Sequence, residues 1–590
     1  MCSVHDFKYW IFIFLFILFR RAYTGSLDLG GIWQFNLGDS IEWAQVEYSD
    51  ENWDYIDVPQ VWETAGFNCY NGYAWYRKTV VIPESWQTDK YLKIKKALFL
   101  DLGNIDDVDQ TFFNAQPVGM TGSFPPDYRS CWNASRHYQI PIDLVRWGKK
   151  NVIAVRVYDR EGNGGIYWGK PKIKTPSSVD FSKVEIRFNN PRHLYVEGES
   201  ILGEAVISND SFDILAPAIE WLVQSDVGRF VENLQQKIIV PMGLTQKTSV
   251  CFHYDQPGFY YVTTRLLQEN EVIFETTNTI GYATEKLIPK ASRLPDFNAF
   301  WKRTQQQLTL IPIQPKFEKI DTLSSVTRNY YNVQLLSFNN IVIHGSFILP
   351  NGVGPYPTIL KLATEREYHP DEFLDAFQHY AIFILDVRGI GNSRTEVNPG
   401  FPGYLISHIS NKEKYILRGA IMDCIRALEF LVLHPKVDTT RIAIVGEGLS
   451  GGLALATAGL NSHAKLIIAD APLMAGLDLV LKIISLSYYE ILQYVIENPT
   501  EKEAIFQTLN YFDLVHFASK ISCPVLLSIG LKDNFTPPRS VFLIYNQLSA
   551  PKDALIYPHL GHEYNQEECR KAKIEWIEMN FGFKQNDPVD

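Results

Sequence analysis

The carboxyl-terminal half of the sequence is constrained most by short runs that are apolar at every position and separated by helical stretches. Beyond Ile288-Pro-Lys290 these runs are PTILKLA, YAIFILDVRG, RIAIVG, KLIIADAP, PVLLSIG and DALIYP. A strand without a polar face must be covered on both sides, and helical connections bring consecutive strands parallel. The pattern predicts helices over Asp296–Leu310, Lys412–His434 and Leu449–Leu460, near Ser540, and over Cys569–Asn580. VQLLSF and IVIHGSFIL, joined at Asn339-Asn340, read as an antiparallel hairpin entering the sheet.

The first half obeys a different period. From Leu27 to about Lys174, short strands alternate in polarity between turns (GIWQF, AWYRKTVVI, YLKIKKALFLDLG, NVIAVRVYD), which predicts a β-sandwich over 25–176. VEIRF, EAVISN, AIEWLVQS and GFYYVTTRLLQ continue the alternation, with turns near every ten residues, and predict an immunoglobulin-like sandwich over 177–287. A chain of 590 residues is too long for one core, and the multidomain division is completed by an α/β-hydrolase domain over 288–590. The insert between Ala475 and Phe512 comes where lids are placed over such sites. Trp and Tyr crowd the first third, where they read as core packing before sugar stacking.

With 55 basic and 66 acidic residues the net charge is −11, and there is no basic block, which argues against a nucleic-acid partner. The seven cysteines are scattered and none has a metal-binding spacing, so no metal and no cofactor is expected. Cys69 with Cys131 is the one pair that would bridge in an exported chain. Trp10–Phe19 is an unbroken apolar run behind Lys8. It is too short to span a bilayer, so residues 1–24 read as a signal peptide, with a short anchor as the alternative because Arg20 and Arg21 follow the run. Either places the protein outside the cell or at its surface. The triplets at Asn133, Asn209 and Asn534 fit export as glycosylation acceptors.

Hydrolases with this sheet pattern use a nucleophile, an acid and a histidine in that order. Asp533 follows PVLLSIG and His562 follows DALIYP, just beyond the carboxyl ends of neighbouring strands, where sites of parallel sheets form. The carboxylate fixes the imidazole tautomer and stabilises its charged form.

These motifs carry a resemblance. Asp386-Val-Arg-Gly-Ile-Gly391, Val437–Ala456, Gly530–Pro538 and His562-Glu563 are similar to the acetyl xylan esterase and cephalosporin C deacetylase family. Tyr70–Arg77, Val58–Trp62 and Leu102–Asp109 with Phe113–Gly119 resemble the galactose-binding-like jelly roll of β-galactosidases and β-glucuronidases. The first resemblance implies removal of acetyl groups from sugar esters by a Ser/Asp/His triad without a cofactor, and the second implies a carbohydrate context.

The family's elbow reads G-G-S-Q-G-G-G, where this chain has Gly446-Glu447-Gly448-Leu449-Ser450-Gly451-Gly452, so Gly448 falls at the nucleophile position. Likewise an Arg-Gly-Gln motif has become Arg388-Gly389-Ile390, and a glycine-rich oxyanion strand has become Leu362–Tyr368. A rival register exists, since Gly448-Leu449-Ser450-Gly451-Gly452 satisfies G-x-S-x-G, with Ser450 as nucleophile if the strand runs two residues longer. In the family register Ser450 is a hydroxyl at the start of the helix. The expected function is an acetyl xylan esterase-like carbohydrate esterase, acting on an acetylated glycan, whose activity is weak or lost. The alternative is a catalytically inactive glycan- or protein-binding member. A glycosidase, the third reading, needs paired carboxylates on a (β/α)₈ barrel, and the strand pattern does not provide one. An oligomer is left open.

Overall fold

The computed structural model describes residues 25–582 apart from 68–69, 161, 269–270, 291, 364–371, 401–402, 481–487 and 563–566. The run Trp10–Phe19 and Cys69 lie outside the described residues, as do the leader and the Cys69–Cys131 pairing that rest on them. Among the described residues, no helix is long and apolar enough to cross a membrane. The chain forms two compact units. One comprises Met1–Lys183, Ile207–Leu215 and Ile239–Gln246, and the other Val184–Val206, Ala216–Ile238 and Lys247–Asp590.

Two antiparallel sheets build the first unit. A six-stranded sheet contains Gly31–Leu37, Gly72–Val81 and Lys150–Asp159, and a five-stranded sheet is organised around Ala97–Asp106. Period-two patterning explains the layers: Ser135–Pro141 alternates strictly between exposed and buried positions. Trp33, Phe35, Trp62, Tyr76, Leu100, Val155 and Ile166 meet in the core between them. Among the described residues the tryptophans of this unit are therefore mainly packing residues, with Trp168, 70% exposed, as the exception. Asn209, expected as a glycan acceptor, is buried, and its amide donates to the carbonyls of Asp213 (2.8 Å) and Val240 (2.9 Å). It is closed to a glycan in the folded chain, while Asn133 and Asn534 are exposed.

In the second unit an immunoglobulin-like five-stranded sheet runs in the order Leu194–Tyr195, Glu271–Tyr282, Gly258–Gln268, Ala218–Ser225 and Phe230–Lys237. Trp221 meets Phe252 of the companion three-stranded sheet edge-on, with ring centres 5.8 Å apart.

The hydrolase part follows in chain order. It comprises α1 (Phe297–Thr309), β1 (Lys316–Lys319), β2 (Arg328–Leu336), β3 (Val342–Pro350), β4 (Tyr356–Leu362), β5 (Ala381–Asp386) and α2 (Ile416–Leu433). Then come β6 (Val437–Glu447), α3 (Leu449–Leu460), β7 (Leu466–Asp470), β8 (Val525–Gly530), α4 (Pro538–Gln547), β9 (Lys552–Tyr557) and α5 (Glu567–Asn580). The nine strands lie in the order β1-β2-β3-β5-β4-β6-β7-β8-β9, antiparallel through β3–β5 and parallel beyond. The β2–β3 hairpin turns through Asn339 and Asn340, both at positive φ (62° and 60°), a conformation asparagine tolerates better than most residues. Helix α2 stops at Leu433 because Pro435 bars the αR backbone at His434, and α4 starts on Pro538, whose missing N–H costs nothing at a helix start.

A buried ion pair ties α2 to the sheet. Arg388 meets Asp423 with Nε–Oδ2 2.8 Å and Nη2–Oδ1 2.7 Å, and its Nη2 also donates to the Phe338 carbonyl at 2.9 Å. Gly419, in the first turn of α2, is what admits the guanidinium, because a Cβ there would lie 2.2 Å from Arg388 Nη1. Arg388→Met leaves Asp423 buried with an uncompensated charge, so a loss of about 3–5 kcal/mol is expected by urea unfolding. Gly419→Ala should also destabilise, although alanine is ordinarily the better helix former.

Candidate active site

The site forms at the carboxyl end of the parallel sheet, where β6, β8 and β9 release their chains into loops. Asp533 and His562 are brought together: His562 Nδ1 lies 2.8 Å from Asp533 Oδ2. The other carboxylate oxygen accepts the backbone N–H groups of Phe535 and Thr536, each at 2.8 Å, so Asp533 is buried and fully oriented. The Phe535 ring lies against the imidazole at 5.0 Å. This leaves Nε2 facing the end of β6, with Asp533 holding the tautomer that makes Nε2 a proton acceptor.

Strand β6 ends at Glu447 and α3 begins at Leu449, so the sharp turn is Gly448, at φ 54° and ψ −120°. The neighbouring glycines are dictated by contact. A Cβ on Gly446 would sit 2.4 Å from the Ser450 carbonyl, and one on Gly452 would sit 2.4 Å from the Leu473 carbonyl. Gly448 differs from both, since among the described residues a Cβ there would meet a single atom within 4 Å, His562 Nε2 at 3.9 Å. Ser450 lies in the first turn of α3, 2% exposed, with its hydroxyl donating to the Ala363 carbonyl at 2.6 Å. The three candidate side chains thus divide into an Asp533–His562 pair and a serine hydroxyl engaged by the sheet. Of the segment Leu362–Tyr368, only Leu362 and Ala363 are described, and Glu563 lies outside the described residues.

Sequence reasoning passed over Glu447. It is in register with Asp470 of β7, which is in turn in register with Ser528 of β8, so the three occupy one row across the strand ends. Asp470 is satisfied, accepting from Lys573 Nζ at 2.6 Å and from the Ser528 hydroxyl. Glu447 has no hydrogen bond or ion pair among the described residues, and burial first, then the Asp470 charge, push its carboxyl above the usual glutamate range. The signal was present in the elbow, where an acid stands in place of a glycine.

No side-chain set at this site has a metal-binding arrangement among the described residues. One acidic group elsewhere does: Asp106, Asp107 and Asp159 in the first unit, with ligand atoms within 4.8 Å of one another. There the hydroxyls of Tyr128 and Ser130 donate to Asp107, and burial followed by Asp107 lifts the Asp106 carboxyl to about 9.

Comparison with known proteins follows the same division. A family model described as acetyl xylan esterase (AXE1) matches residues 282–580, just over half of the chain. The acetyl esterase Axe7A of Xylanibacter ruminicola is 25% identical over 311 residues, covering 50% of this chain and 70% of its own length. The β-galactosidase BoGH2A of Bacteroides ovatus is 22% identical over 292 residues, and the match takes in 44% of this chain but 32% of that enzyme. Among solved structures, an acetyl xylan esterase from Paenibacillus sp. R4 is 29% identical and covers 50% of this chain and 98% of its own, with a TM-score of 0.47.

Because its carboxyl is raised on folding, Glu447 contributes stability that is full below the ordinary glutamate pKa and is lost as pH rises through the folded value. Glu447→Gln should therefore raise the melting temperature at pH 7 more than at pH 4, which thermal unfolding at the two pH values would measure.

Proposed function

The chain belongs to the acetyl xylan esterase family, and on that premise we propose that it recognises acetyl esters on a glycan and hydrolyses them slowly through water activated by His562. The reading rests on one observation: the space a serine hydroxyl would fill borders Nε2, and the turn residue beside it is Gly448. In the proposed step Nε2 takes a proton from water as the water oxygen attacks the acetyl carbon. The tetrahedral intermediate then expels the sugar oxygen, which recovers that proton from the imidazolium, and acetic acid leaves and gives its own proton to solvent. Asp533 stabilises the imidazolium in between. The backbone N–H of Leu449, next after the turn, has the position in sequence of an oxyanion donor.

Magnitudes limit this chemistry. General-base assistance by histidine contributes roughly 10²–10⁴, whereas losing a triad nucleophile costs about 10⁶. Slow turnover follows, and the amino-terminal jelly roll would present the glycan. Export through residues 1–24, with the protein secreted or held at the cell surface, fits an extracellular polysaccharide substrate and the exposed triplets at Asn133 and Asn534. The same open position at Gly448 favours a second reading, a glycan- or protein-binding member without turnover.

Hydrolysis of p-nitrophenyl acetate separates these readings. Gly448→Ser should raise kcat/KM by roughly 10²–10⁴, restoring a hydroxyl within reach of Nε2. His562→Ala should abolish activity in either background, and Ser450→Ala should leave wild-type turnover within about twofold. Wild-type activity that disappears in Ser450→Ala would overturn the reading in favour of a displaced nucleophile. Wild-type activity at the buffer rate, with saturable binding of acetylated xylan, would select the binding member.

A further inference from the structure

Asp533 and His562 sit on two loops, and each loop is gripped by the immunoglobulin-like sheet of the same compact unit. Helix α4 begins five residues after Asp533, and its second residue, Arg539, reaches Asp226 in the turn between Ala218–Ser225 and Phe230–Lys237. The pair is bidentate: Nη2 to Oδ1 is 2.7 Å and Nε meets Oδ2, with the side chains 12% and 3% exposed. Gly258 on the adjoining strand makes room, since a Cβ there would lie 2.6 Å from Arg539 Nη2. Phe259 packs on Phe542 at 5.4 Å, and Asn546 donates to the carbonyls of Thr284 and Leu287 at 2.8 and 3.0 Å.

The second grip is on the histidine loop. His193 precedes the first strand of that sheet and stands edge-on to His559, with ring centres 5.4 Å apart at 89°. His559 is three residues before His562, and the stretch between them is tied back to the aspartate loop by Lys532 N–H donating to the Leu560 carbonyl at 3.0 Å. His193 is 5% exposed. The two loops that must hold a 2.8 Å contact are thus each fastened to one rigid sheet that supplies no group to the chemistry.

We infer that the immunoglobulin-like sheet is a positioning element for the Asp533–His562 pair, acting through Asp226 on Arg539 and through His193 on His559. A buried bidentate carboxylate fixes a guanidinium in both distance and plane, and an edge-on ring contact fixes the approach of a loop. Releasing either lets the aspartate drift from the imidazole, which then loses the charge that favours its protonated form. The inference rests on the reading of Asp533 and His562 as the working acid–base pair.

The test reads that pair directly, without turnover, by NMR titration of ¹³C-histidine-labelled full-length protein, with the His562 signal assigned through His562→Gln. Asp533→Asn should lower the apparent His562 pKa, and if it does not, the acid–base reading itself falls. Asp226→Asn and His193→Ala should each lower it by about half a unit or more. Asp226→Glu, which keeps the charge, and His193→Phe, which keeps the ring contact, should restore at least half of the shift. Trp221→Phe, in the core of the same sheet and away from both grips, should lower the melting temperature without moving the His562 pKa. If Asp533→Asn shifts His562 while Asp226→Asn and His193→Ala only lower the melting temperature, the sheet is a stabilising neighbour and the inference is overturned.

Discussion

The geometry of the site depends on how closely the end of β6 approaches the start of α3. The carbonyl of Ser450 stands where a side chain at 446 would be, and the carbonyl of Leu473 where one at 452 would be, so two glycines are required before the turn can be made. That approach aims the turn residue out of the sheet top, and the backbone holds it there: Gly448 N–H donates to the Asp470 carbonyl at 2.9 Å, and its own carbonyl accepts from Leu473 at 2.9 Å. Neither bond involves a side chain. The turn is therefore held by backbone bonds that need no hydroxyl at residue 448, and the architecture persists with glycine there.

The acid–base half of the site depends on two other strand ends and on local backbone donors. Asp533 is oriented by amides two and three residues further along its own loop, so its placement is encoded within a short segment. His562 depends on a longer path through β9 and its loop. In the sheet plane, Glu447, Asp470 and Ser528 form a row in which the middle member is neutralised by Lys573 from α5 and the first has no hydrogen bond or ion pair among the described residues. A second carboxylate beside Asp470 is costly where water is excluded, and burial together with the Asp470 charge makes Glu447 hold its proton more tightly, although His562 pulls the other way.

What could be read in the sequence was what is local or periodic. Strands apolar throughout, such as Val525–Gly530, and the order of Asp533 before His562 exposed the sheet and the pair, because burial on both faces leaves a mark on every residue of a strand. Helix α3 lies where its pattern placed it, Leu449–Leu460, whereas α2 begins at Ile416 and not at Lys412, since Asn411–Tyr415 is spent on turn hydrogen bonds. The engagement of Ser450 by Ala363 was hidden, because it joins positions 87 residues apart in a strand pairing that composition does not specify. Asn209 was misjudged as an acceptor for the same reason: its triplet is local, but its burial comes from Val240. The Asp226–Arg539 pair spans 313 residues, and no periodic signal reaches that far.

A residue other than glycine at φ 54° and ψ −120° stores backbone strain of about 1–3 kcal/mol, which working hydrolases of this architecture retain at the nucleophile. Glycine releases it. A domain freed of that reservoir has spare stability of the same size as a typical core substitution, and so gains mutational latitude. The acid at 447 and the isoleucine after Arg388-Gly389 are side-chain changes of the kind such latitude accommodates without altering the outline of the fold.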